Sequence, residues 1–265
     1  MKKLINGHLL KSASSQNLKS QFRFLLVALI ISLSFFAGLL LLGSLNGLSP
    51  YFLVSDLGEI TSSSPLAGSI ANLSASFFAI AGAICMTFAS LCRLDAKISR
   101  QWFQFFLLSG LLSFILFLDD LLQIHESIGS AIAFLNPSGY NTNNILLYAL
   151  EKAKREVVTV TYAIFIVAYL VKFRMHFRRT KVIFLYVALS CFALSVIMDV
   201  IPDNAFSGKF IFEEFPKFFG TIIWALYFYV SGIDIIRDHL NQQHNGESIL
   251  TLSDNEKSLQ MRDVR

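Results

Sequence analysis

The chain has 265 residues, of which 54% are apolar and 15% charged, with a net charge of +4 and a mean hydropathy of +0.59. A soluble domain carries about 25% charged residues, and apolar runs of about twenty residues mark helices that cross a bilayer. The composition therefore excludes a soluble enzyme, a nucleic-acid binder and a disulfide-stapled domain, and it predicts an all-α polytopic transmembrane bundle.

Six apolar segments follow one another: Phe24–Leu45, Pro65–Cys92, Trp102 to about Ile128, Glu156–Val171, Val182 to about Ile201, and about Glu213–Ile236. The first is longer than the apolar stretch of a signal peptide, and no small-x-small cleavage site precedes the Asn46–Pro50 loop, so an uncleaved span is expected. Seventeen of the 22 Lys and Arg fall in the N-terminal segment, after spans 2 and 4, and in the tail. Cytoplasmic loops are rich in these residues, which predicts six spans with both termini inside. Eleven of the 18 acids fall on the opposite side or in the outer ends of spans. Residues 1–21 are then a basic cytoplasmic segment, 22–239 the six-helix domain, and 240–265 a polar, disordered cytoplasmic tail. A multi-pass protein of a bacterial inner membrane is the simplest expectation.

The connection after span 3 contains the turn signal Asn136-Pro137-Ser138-Gly139, and Ile145–Arg155 is amphipathic enough to lie along the interface. Cys85, Cys92 and Cys191 fall inside spans and are expected as buried thiols. In span 2, Ala71, Ala75, Ala79, Ala83 and Thr87 form an i,i+4 stripe of small residues, a surface for close helix contact in lipid.

Spans 4 to 6 are short. Only 15 residues separate Glu156 from Lys172, 17 separate Lys181 from Asp199, and 16 separate Lys217 from Asp234. Crossing ~30 Å of hydrocarbon takes about 20 residues, so the bracketing charges dip below the membrane surface. Asp119, Asp120, His125, Glu126, Glu156, Asp199, Glu213, Glu214 and Lys217 then share one depth at the outer ends of spans 3 to 6. Ionisable groups at that depth are costly and face the bundle interior. At about 100° per residue, Asp119, Gln123 and Glu126 fall on one stripe, Asp120 lies in line with Ser113, and His125 points elsewhere. In span 5, Ser195 and Asp199 share a face. In span 6, Glu213, Lys217, Thr221, Trp224 and Ser231 form a polar stripe, with Glu213 and Glu214 expected in the first helical turn before Pro216.

Gathered carboxylates repel unless they are protonated, paired or bound to a cation. Asp119, Asp120, His125, Glu126, Glu156, Asp199 and Glu214 are the candidate metal ligands, with Lys217 as charge partner. Oxygen donors with one imidazole suit Mg²⁺, Ca²⁺ or Mn²⁺ better than Zn²⁺. The layout is similar to that of the alkaline ceramidase-like membrane hydrolases, which gather several histidines around zinc. Only His125 lies on the outer side of this chain, since His8, His176, His239 and His244 fall on the cytoplasmic side. The function expected is a metal-dependent hydrolase or transferase acting on a lipid-like substrate, with Glu126 or Glu214 as base and His125 as ligand or acid. The alternatives are an accessory or assembly protein and a cation or proton transporter. The transporter expectation is weakened because the inner halves of the spans carry no matching polar path.

Overall fold

The computed structural model describes residues 2–54, 68–94, 100–124, 128, 157–201 and 208–262, the side chains at 2–20, 157–159, 200 and 242–262 excepted. Among these residues the chain is all-helical, without strands. The helices are α1 (Lys2–Leu45), α2 (Pro50–Val54), α3 (Ser69–Leu94), α4 (Arg100–Leu122), α5 (Val157–Lys172), α6 (Arg174–Phe177), α7 (Val182–Val200) and α8 (Lys209–Arg262). Helix is the expected outcome for apolar segments in lipid, where every backbone N–H and C=O must find a partner within its own segment.

Five helical stretches are long and apolar enough to cross a membrane: Gln21–Leu45, Ser69–Leu94, Arg100–Leu122, Val182–Asp199 and Lys209–Asn241. The chain is a multi-pass membrane protein. The segment expected as span 4 forms α5, whose 16 residues reach only ~24 Å. Two boundaries differ from expectation. Helix α4 stops at Leu122, with Gln123 in the left-handed region at φ 51°, so helical phase does not carry from Asp119 to Glu126. Helix α8 begins at Lys209, so Pro216 lies inside it and Glu213 and Glu214 are past its first turn. Its backbone stays helical as far as Arg262.

Helix α8 is central and α1 peripheral: 56% of the membrane segment of α8 is buried, against 17% of that of α1. Helix α3 packs on both α4 and α8, and α7 packs on α8. Phe36 of α1 rests on Phe215 and Phe218 of α8, and the short α2 buries Leu53 and Val54 in the same cluster. At the other end of the bundle, Phe105 of α4 is fully buried among Tyr169 of α5, Phe173, His176 and Phe177 of the following turn, and Phe228 of α8. Phe is thus as much a core residue here as a lipid-facing one.

The small stripe expected on α3 does not form the contact. Ala71 and Ala75 are buried, but Ala83 and Thr87 are exposed. A strict i,i+4 repeat rotates by roughly 40° at each step, so over four steps it leaves any fixed neighbour. Glycines make the close approaches instead. A Cβ at Gly110 of α4 would sit 3.3 Å from the Gly82 carbonyl oxygen, from Cys85 Cβ and from Met86 Cγ of α3. On α8, one at Gly220 would lie 3.0 Å from Cys191 Cβ, and one at Gly232 would strike the Phe88 ring. Gly110→Leu should force α3 and α4 apart and destabilise the protein by about 1–3 kcal/mol. Thermal unfolding in detergent should show a clear loss for this variant and a much smaller one for Gly110→Ala.

Candidate functional site

The last turns of α4 and the first turns of α8 meet at one end of the bundle. Lys217 Nζ of α8 lies 2.6 Å from Asp120 Oδ1 of α4 and 3.9 Å from Glu214 Oε1, one turn back on its own helix. One ammonium therefore holds carboxylates from two helices, and all three side chains are largely buried, at 20%, 11% and 11% exposure. A second lysine repeats the pattern toward α7. Lys209 Nζ sits 3.5 Å from Glu213 Oε2 and donates to the backbone carbonyl oxygen of Asp199 at 3.4 Å. Asp119, also buried, accepts a hydrogen bond from the Tyr162 hydroxyl of α5.

This geometry has a regular register. Asp120 lies seven residues after Ser113 on α4, and Lys217 lies seven residues before Trp224 on α8. The two helices run antiparallel, so the Asp120–Lys217 contact is repeated one heptad deeper by a second tie, in which Trp224 Nε1 donates to Ser113 Oγ at 2.9 Å. Deeper still, Ser109 and Tyr169 share a hydrogen bond, and Tyr227 OH is 2.9 Å from Thr180 Oγ1. Lys181 and Asp234 form an ion pair of 3.2 Å at the far end. Thr221, on the same α8 face as Lys217 and Trp224, is fully buried and donates to the Phe218 carbonyl.

Of the site residues expected from sequence, the structure brings Asp120, Glu214 and Lys217 together. Asp119 sits beside them on α4 and turns to Tyr162, while Asp199 lies at the end of α7 with its main chain against Lys209. His125, Glu126 and Glu156 lie outside the described residues. Among the described residues, no three His, Cys, Asp or Glu side chains are grouped so as to hold a metal ion. Sequence reasoning missed Lys209, Tyr162 and Tyr169. The i,i+7 pairs Ser113/Asp120 and Lys217/Trp224 did carry the signal for the interhelical ties.

The net effect of Lys217 is to compensate two acids in a low-dielectric setting. Removing one partner of such a pair costs about 3–5 kcal/mol, because it strands the other charge. Lys217→Met, which strands both acids, should destabilise the protein more than the Lys217→Met/Asp120→Leu double variant, and Asp120→Leu, which leaves Lys217 with Glu214, should cost least. A double-mutant cycle of thermal or denaturant unfolding in detergent measures this coupling.

No curated protein and no solved structure matches this chain. Residues 23–231 match a family model, a stretch that runs from the first apolar helix into α8 and takes in both lysine sites. With well over half of its length covered, the chain belongs to the family described as "Domain of unknown function (DUF8692)".

Proposed function

We propose that this membrane protein moves positive charge, as a proton or a small cation, through the site formed by Asp120, Glu214 and Lys217. The observation that carries the proposal is one ammonium shared by carboxylates of two different helices. A tethered cation in a two-carboxylate site keeps like charges together while the site is empty of ligand. A proton or cation that enters competes with Lys217 for the same oxygens. Its arrival loosens the tie between α4 and α8, which links occupancy to helix position. The buried polar ties through Ser113, Ser109, Tyr169, Tyr227 and Thr180 supply polar groups in the inner half of the bundle, the feature whose absence weakened this reading at the level of sequence.

The metal-dependent hydrolase or transferase acting on a lipid-like substrate is less favoured by this arrangement. A divalent ion at Asp120 and Glu214 would have to displace Lys217, and His125, Glu126 and Glu156 would have to complete its ligands. An accessory role requires only that the ties hold helices together. The proposal includes six spans with both termini inside a bacterial inner membrane, so that the carboxylates face the outer side.

Two measurements test these statements. A reporter active only outside the cytoplasm should be silent when fused after Arg265 and active when inserted within 136–144. The opposite pattern would reverse the side on which the acidic end lies. Purified protein in proteoliposomes loaded with a pH-sensitive dye, under an imposed proton or cation gradient, should speed dissipation of that gradient. Asp120→Asn should reduce the rate by at least tenfold. A wild-type rate equal to that of empty liposomes would leave the accessory role as the better account.

A further inference from the structure

The opposite end of the bundle carries a separate feature. The nine-residue connection between α5 and α7, residues 173–181, is tightly built. Phe173 and Phe177 are buried in the aromatic cluster around Phe105, backbone bonds close successive turns (Phe177 N–H to the Phe173 carbonyl, Arg179 to His176, Thr180 to Phe177), and Thr180 is tied to Tyr227 of α8. Lys181 is held by Asp234. Most of the side chains that remain outward are basic: Lys172, Arg174, Arg178 and Arg179 are all exposed, and none takes part in an ion pair among the described residues.

Two neighbours extend this surface. The ring contact of Phe24 with Phe184 places exposed Arg23 of α1 at the level of the turn, and the contact of Trp102 with His176 does the same for exposed Arg100 of α4. Six cationic side chains thus lie at the end of the bundle where the turn joins two apolar helices. Burial, and then the Arg179 guanidinium, push the His176 imidazole below its ordinary range. The positive field of this surface therefore comes mainly from the Arg and Lys side chains.

We infer that this turn, with Arg23 and Arg100, is a docking surface for the headgroups of anionic phospholipids in the leaflet it faces. Several observations support this occupant. The six exposed side chains carry one sign of charge, and among the described residues none of them is in an ion pair. The turn is fixed before a lipid arrives, so little ordering cost falls on binding. Exposed Met175, between Arg174 and His176, offers an apolar contact beside the cations, as an acyl chain below a phosphate requires. Arginine favours phosphate oxygens because its planar fork can bond two of them at once.

The chain has two tryptophans, and they make the test local. Trp102 lies against the turn and is half-buried, whereas Trp224 is buried in the core with 1% exposure. The full-length protein is reconstituted in phosphatidylcholine vesicles containing rising fractions of bromine-labelled phosphatidylglycerol or bromine-labelled phosphatidylcholine. Tryptophan quenching then reports which lipid occupies the surface beside Trp102. The expected result is stronger quenching by phosphatidylglycerol at equal mole fraction. Each basic residue at a membrane surface is worth about fivefold for an anionic lipid, so Arg178→Gln/Arg179→Gln should cut the preference by at least about tenfold. Should that variant fail to fold, the wild-type protein still decides the matter, because 1 M salt shortens screening to about 3 Å and should level the two lipids. Equal quenching by the two lipids in the wild type would overturn the inference. So would a preference untouched by the double substitution or by salt, or one abolished by millimolar inorganic phosphate at constant ionic strength, which would indicate a site for the free ion.

Discussion

Lys217 lies where two acids from different helices come out of water, and the packing around it depends on that compensation. A buried acid with no compensating charge costs several kcal/mol. With Asp120 and Glu214 on one ammonium, α4 and α8 are fixed in register as well as neutralised. The same register then brings Trp224 to Ser113 one heptad deeper, so the geometry set by charge is reinforced by a neutral hydrogen bond. Helix α3 sits close to both partners because Gly110 of α4 leaves room beside the Gly82 carbonyl and Gly232 of α8 leaves room for the Phe88 ring. Lipid supplies no hydrophobic drive between helices, so this close packing and these polar ties are what hold the bundle together.

Helix α5 illustrates how a short segment is held in such a bundle. Its two tyrosines, Tyr162 and Tyr169, lie seven residues apart on one face, and both turn to α4, to Asp119 and Ser109 respectively. Beyond Tyr169, Phe173 and Phe177 lock the C-terminal end into the cluster around Phe105. With only 16 residues, α5 has little apolar surface to spare, and polar and aromatic anchors on one face substitute for length. Ile164, Val167 and Val171, on the opposite face, are exposed.

Much of the fold was legible in the sequence, because composition and apolar run length speak directly to what a bilayer demands. Helical class and the long spans follow from that alone. Phase within a span also carried through where the helix was continuous: Ser113 and Asp120 on α4, and Lys217, Thr221 and Trp224 on α8, share faces as their spacing implies. Expectations departed from the structure wherever a local event broke the period. Gln123 ends α4 in a left-handed conformation, and no residue type there signals it. Pro216 suggests a helix start, yet the helix begins seven residues earlier, since a proline in a membrane helix is tolerated where neighbours satisfy the backbone. The alanine stripe failed through arithmetic, because a repeat of four outruns a turn of 3.6 residues. Lys209 was not identifiable as a partner of Glu213 while the helix was thought to start after it.

The extended start of α8 also decides what stabilises its acids. A helix dipole acts on charges within the first turn and falls off beyond it. Had α8 begun at Glu213, backbone N–H groups could have carried much of the compensation for Glu213 and Glu214, and the lysines would have been redundant. Because it begins at Lys209, both glutamates lie past the reach of the helix end, and side-chain cations must do what the backbone cannot. Lys209 and Lys217 stand four residues before Glu213 and three after Glu214, so each glutamate has an ammonium on its own helix, while Lys217 alone also reaches across to α4. That difference separates their roles. Lys209 ties the start of α8 to a backbone carbonyl at the end of α7, whereas Lys217 ties α8 to a carboxylate of α4.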